Sequence, residues 1–128
     1  MTKFKWLLVF FAGVLAACSA APIYNVKGSP ITTASGKAPT MQQVQSAILQ
    51  AGTSLGWQMS NDKPGKMTGR LALRTHQAVV DIDYDTKQYN ITYRDSVDLN
   101  AKDGMIHKNY NSWVQNLDNR IRAQFNLI

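Results

Sequence analysis

The chain contains no glutamate; all eight acidic residues are aspartate. That absence removes every Glu-based general acid, nucleophile or metal ligand. A single cysteine, Cys18, excludes an intrachain disulfide and any two-cysteine metal or redox centre. Histidine is scarce too. His76 and His107 stand far apart, and no second metal ligand lies at a useful spacing from either. The apolar run at 6–17 has twelve residues, too few to cross a bilayer core of ~30 Å as a helix. What remains is a chain of 128 residues, enough for one domain that buries about two thirds of its unfolded surface.

The first residues read as an address. Lys3 and Lys5 form a positive n-region, and Trp6 to Ala17 (WLLVFFAGVLAA) fits a signal-peptide h-region. Leu15-Ala16-Ala17-Cys18 then resembles a bacterial lipobox. The resemblance implies cleavage before Cys18, a thioether from its thiol to diacylglycerol, and N-acylation. The competing reading is an ordinary secretory signal with an incidental cysteine, which predicts a soluble periplasmic protein of unmodified mass. With lipidation, the only thiol is used for the anchor. Two lysines leave with the signal, so the mature chain carries twelve basic against eight acidic residues, or +4. Ser19 occupies the position where Gram-negative lipoproteins retained at the inner membrane typically carry Asp. The class rule therefore points to the outer membrane, with the domain facing the periplasm.

The expected organisation is a signal peptide over 1–17, a lipidated Cys18 with a tether over 18–39, and one α+β domain over 40–128. The tether is rich in Ser, Thr, Ala, Gly and Pro, which favours extended chain. Within it, Ile23-Tyr24-Asn25-Val26 reads as a short edge strand. Thr40 and Gln43 form a capping box. Met41, Val44, Ile48 and Leu55 then share one helical face, filled in by Ala47 and Ala51, and Gly52 or Gly56 supplies the stop.

From Trp57 the period changes to two. Residues 57–59 read as a short strand, 62–65 as a turn, and 66–74, 77–85 and 88–94 as three strands. A loop at Thr86-Lys87 pairs Tyr84 with Tyr89, Ile82 with Ile91 and Val80 with Tyr93. A loop at Thr75-His76 pairs Leu73 with Ala78, Leu71 with Val80 and Met67 with Tyr84. One face is then wholly apolar, while the other pairs Arg70 with Asp81 and Lys66 with Asp85 and aligns Thr68 with Asp83. After a polar loop over 96–104, a final helix starts near Ile106 or Asn109 and runs to Phe125. Its stripe is Tyr110, Trp113, Val114, Leu117, Ile121 and Phe125. The predicted fold is α+β: an antiparallel sheet of three to four strands, with room for the N-terminal edge strand, and two amphipathic helices on one face.

Candidate chemistry is thin. Gly52-Thr53-Ser54-Leu55-Gly56 matches G-x-S-x-G, but a nucleophile elbow needs a strand before the Ser and a helix after it; here the order is reversed. Asp81-Ile82-Asp83-Tyr84-Asp85 resembles the start of a calcium loop, yet Thr86 and Thr92 stand where Gly and an acid are required. His107, at the start of the last helix, is placed to cap it. The basic residues are scattered, and no nucleic-acid-binding motif accompanies them. No cofactor or metal is implied. The most distinctive polar–aromatic group is Ser96, His107, Tyr110, Asn111 and Trp113, read either as core and loop anchors or as a ligand or partner contact.

The segments Tyr93-Arg94-Asp95-Ser96, Leu99 and Ile106-His107-Lys108-Asn109-Tyr110-Asn111-Ser112-Trp113-Val114-Gln115-Asn116-Leu117 carry a resemblance. So do Ile23-Tyr24-Asn25-Val26, Gly56-Trp57 and Pro64-Gly65. Together with the lipobox they resemble a family of small proteobacterial outer-membrane lipoproteins. The resemblance implies compartment and architecture and brings no catalytic residues. The functional expectation is a lipid-anchored, non-enzymatic structural or binding module. Its partners would be the membrane, through the anchor, and an envelope protein or peptidoglycan. The alternatives are a binder of an acidic envelope component and a small hydrolase using His107.

Overall fold

The period-two alternation from residue 66 onward builds the sheet that organises the molecule. A computed structural model describes residues 19–128. The expected signal peptide and Cys18 lie outside the described residues. In chain order the elements are β1 (Ala20–Pro22), β2 (Val26–Pro30), α1 (Met41–Ser54), β3 (Gln58–Lys63), β4 (Lys66–Leu73), β5 (His76–Tyr84), β6 (Gln88–Val97), β7 (Met105–His107) and α2 (Lys108–Phe125). Five strands form an antiparallel sheet in the order β2-β6-β5-β4-β3, and β1 pairs with β7 in a separate two-stranded ladder.

The class is α+β, as expected, but the strand count is higher than three to four. The N-terminal edge strand exists but starts at Val26, three residues later than its β-branched and aromatic residues suggested. Ile23 to Asn25 form the connection between β1 and β2. Strand β2 lies on β6 with Val26 opposite Ile91 and Ser29 opposite Tyr89. Two residues, Lys27 and Gly28, thus face Asn90. Gly28 takes φ +60, and its N–H donates to the Asn90 side chain at 2.6 Å. Residues 20–30, expected as tether, therefore belong to the folded body.

The β5–β6 register is the expected one: Tyr84 faces Tyr89, Ile82 faces Ile91 and Val80 faces Tyr93. The β4–β5 register is not. The turn is Arg74-Thr75, with Leu73 opposite His76, so Leu71 faces Ala78 and Met67 faces Ile82. The shift is two residues, and side chains alternate with a period of two. Every face assignment survives while every partner changes. The polar pairs change with it: Arg70 lies opposite Val79, Lys66 opposite Asp83 and Thr68 opposite Asp81. Asp81 is instead 3.5 Å from Arg94, which also donates to the Thr68 hydroxyl at 3.1 Å. Thr68 in turn donates to Asp62 at 2.6 Å. Arg94 reaches that position because β6 bulges there: Val80 faces Tyr93, whereas Val79 already faces Asp95.

Helix α1 starts on the expected capping box, with Gln43 N–H donating to the Thr40 hydroxyl at 3.1 Å and Thr40 N–H to the Gln43 side chain at 2.9 Å. The stripes of α1 (Val44, Ala47, Ile48, Ala51) and α2 (Tyr110, Val114, Leu117, Ile121, Phe125) bury against Met67, Leu71, Ala78, Val80, Ile82, Tyr84, Tyr89 and Ile91. Fully burying a side chain of that size contributes about 1.5–3 kcal/mol, so this layer dominates stability. Gly52 allows close approach: a Cβ there would sit 2.3 Å from Met59 Sδ. One carboxylate is buried within the helix layer. Asp118 accepts the Tyr89 hydroxyl on Oδ1 and Arg122 on Oδ2 at 2.8 Å. Burial and the neighbouring carboxylate push the Tyr89 phenol above its ordinary range.

Candidate functional site

The five residues singled out from sequence do not converge on one pocket. His107 closes β7 and caps α2, its Nδ1 accepting Asn109 N–H at 3.2 Å. Accepting on Nδ1 leaves the proton of the neutral ring on Nε2. Tyr110 is fully buried in the core, edge-on to Tyr93 with centroids 5.5 Å apart. Its hydroxyl has no hydrogen-bond partner among the described residues, and burial pushes its titration upward. Ser96 shares a 2.9 Å hydrogen bond with the Tyr93 hydroxyl. Trp113 is half-buried, and its ring centroid is 6.4 Å from that of His76.

Asn111 does the work that sequence could not show. Its Oδ1 accepts Tyr24 N–H at 3.0 Å, and its Nδ2 donates to the Pro22 carbonyl at 2.9 Å. A side-chain amide has one acceptor and one donor end, and here both are used on a chain segment 87 and 89 residues away. Asn25 repeats the device, its Oδ1 accepting Tyr93 N–H at 2.8 Å. Lys108 N–H donates to the Ser19 carbonyl at 2.8 Å, and Ile23 N–H to the Gly104 carbonyl at 2.9 Å. The N-terminal segment is thus fixed from its first described residue onward.

The same end of the molecule holds the β4–β5 turn and the loop 98–104. Thr75 donates its hydroxyl to Asp98 Oδ2 at 2.5 Å, and His76 Nδ1 donates to the Asp98 carbonyl at 2.7 Å. Leu99 carries this end into the core, and its carbonyl accepts His107 N–H at 2.9 Å. Four non-glycine residues adopt left-handed backbone among the described residues, and all lie here: Arg74 (φ 56), Asp98 (φ 58), Asn100 (φ 54) and Asp103 (φ 53). Asp and Asn tolerate that region; Arg does so less readily. A cleft of about 100 Å³ between Leu55, Leu71, Leu73 and Trp113 opens at the same end. We call this the loop end.

Elsewhere the residues of the G-x-S-x-G motif stop α1. The Ser54 hydroxyl donates to the Ala51 carbonyl at 2.8 Å and accepts from Arg120 at 3.1 Å. A larger groove of about 480 Å³ runs between Thr40, Gln43, Ala47 and Gln50 of the α1 side and Gln124 and Ile128 at the C-terminus. Amides line it, with no titratable side chain. Among the described residues no group of three or more His, Cys, Asp or Glu side chains is placed to hold a metal ion. Sequence reasoning missed Thr75, His76 and Asp98 as a unit. The Asp, Asn and Gly content of 98–104 signals a turn but not its partner. Comparison with protein-family models, with curated proteins and with solved structures finds no match to this chain.

Proposed function

We propose that the protein is a lipid-anchored, outer-membrane envelope protein whose α+β domain is a non-enzymatic structural or binding module in the periplasm. The lipobox at 15–18 carries the anchoring part of the reading. The observation that carries the modular part is the allocation of the chemistry-bearing side chains. His107 caps a helix, Asn111 clamps the N-terminal segment, Ser54 bonds to its own helix, and Asp118 satisfies a buried tyrosine. Groups fixed in this way support architecture rather than turnover. No helix among the described residues is long and apolar enough to cross a membrane, so the acyl chains would be the means of attachment.

Intact mass spectrometry of the membrane-extracted protein is the test. A mass equal to residues 18–128 plus diacylglycerol and an N-acyl chain is expected, and Cys18→Ser should move the protein to the soluble fraction. An unmodified Cys18 removes the anchor. Turnover lost on His107→Ala in a folded variant removes the non-enzymatic reading.

The mature charge of +4 favours a second reading, binding of an acidic envelope component such as peptidoglycan or lipid headgroups. Cosedimentation that weakens as salt rises is expected. Absent or salt-insensitive sedimentation speaks against it.

A further inference from the structure

We propose that the loop end is the face with which the domain rests on an anionic phospholipid bilayer. This deepens the anchoring reading and rests on lipidation of Cys18. The argument begins where the described chain begins. Ser19 follows Cys18 by one peptide unit, about 3.8 Å between Cα atoms. Ser19 does not end a free tail: Lys108 N–H donates to its carbonyl at 2.8 Å. The next three residues pair with β7, and Asn111 grips the backbone on the far side of that ladder. A flexible tether over 19–39 would have let the domain wander roughly 25 Å from its lipid. With the segment folded onto the domain, the acyl chains start within about one residue of the α2 N-terminus. The loop end is thereby held at the headgroup layer.

The chemistry of that end fits the surface it would meet. Among the described residues five large apolar side chains are exposed, and three lie here: Leu73 (43%), Val97 (51%) and Met105 (37%). The other two, Met41 and Leu127, lie at the opposite end with the β3–β4 turn and the C-terminus. Arg74, Lys102 and Lys108 are exposed beside them. Two acids share this end, Asp98 and Asp103. Asp98 already accepts the Thr75 hydroxyl and lies 3.5 Å from His76. With its histidines neutral, the end carries three exposed bases against these two acids, a formal charge of +1, and the exposed Asp95 stands two residues before Val97 on β6. Each Lys or Arg near an anionic leaflet favours contact by about five-fold. Apolar tips between basic residues suit an interfacial contact, with the charged heads among phosphates and the apolar groups just below. Leu73, Val97 and Met105 stand at the ends of β4, β6 and β7, beside the left-handed turns at Arg74, Asp98, Asn100 and Asp103, and Arg74 and Lys102 lie in the loops themselves.

The test uses the lipidated mature protein in vesicles of phosphatidylethanolamine and phosphatidylglycerol. A single environment-sensitive fluorophore is attached through Met105→Cys, through Val97→Cys, or through Leu127→Cys as the far-end reference. The acylated Cys18 offers no competing thiol. Lipid-borne quencher should suppress the labels at 105 and 97 several-fold more than the label at 127. Equal quenching at all three positions, with Cys18 acylated by intact mass, overturns the orientation and leaves the anchor standing. An unmodified Cys18 overturns both. Lys102→Ala and Lys108→Ala should each lower the seated-to-free ratio about five-fold. Unchanged quenching in those two variants overturns the choice of an anionic surface.

Discussion

The helix–sheet core and the N-terminal junction are tied down by different physics. In the core, Val44, Ile48, Leu117 and Ile121 of the two helices meet Met67, Val80, Ile82 and Ile91 with no exposure. In the junction, Ala20 to Val26 offer few large buried groups, and Asn111, Asn25 and the β7 backbone hold them by hydrogen bonds. Apolar burial is non-directional and tolerates a shifted partner, as the two-residue slip between the expected and observed β4–β5 pairing illustrates. An amide that bonds at both ends is directional and fixes one placement. Under the proposed lipid anchoring, a segment that holds the domain at a set distance from Cys18 has more use for the second kind of restraint.

Three substitutions grade that contrast. Leu117→Ala, in the centre of the core, should lower global stability by about 2–5 kcal/mol, read as a reduced urea midpoint with an unchanged slope. A loss within experimental error would mean that the helix layer is not the main support. Asn111→Ala leaves the Tyr24 N–H and the Pro22 carbonyl without their partner, a cost of about 1–2 kcal/mol. The effect should be local. Hydrogen exchange should speed up at residues 20–25 and stay unchanged in β5 and the second half of α2. Uniform acceleration across the chain would erase the distinction between the two regions. Tyr110→Phe removes a buried hydroxyl that has no partner and should be neutral or stabilising by up to about 1 kcal/mol. A clear loss of stability in that variant would show that the hydroxyl is bonded.

Legibility followed the range of the interaction. The α1 capping box was readable because Thr40 and Gln43 are three residues apart. The β5–β6 register was readable because its turn joins two strands with matched alternation. The β4–β5 register slipped because Arg74-Thr75 and Thr75-His76 are equally plausible turns by composition, and both give the same faces. Only the left-handed Arg74 separates them. Strands β1, β2 and β7 (AAP, VKGSP and MIH) carry no alternation of their own and exist because β6 and the β7 backbone offer open hydrogen-bonding edges. The patch of five residues was legible as a list, read as core and loop anchors or as a contact, but not as a spatial arrangement. Proximity along a helix does not place side chains on one face, and these five divide between core, cap, clamp and surface.

By itself the sequence determined the α+β class, both helices and the apolar face of the central strands, and the proposed leader and lipobox rest on it alone. Each of these depends on composition or on periodicity over a few residues. Tertiary structure alone decided that the residues after Cys18 are folded rather than a tether. It also decided that Arg94 rather than Arg70 approaches Asp81, and that the turns at 74–75 and 98–104 share one end. The reason is physical: those outcomes depend on directional bonds between groups tens of residues apart, and such bonds leave no period in the chain.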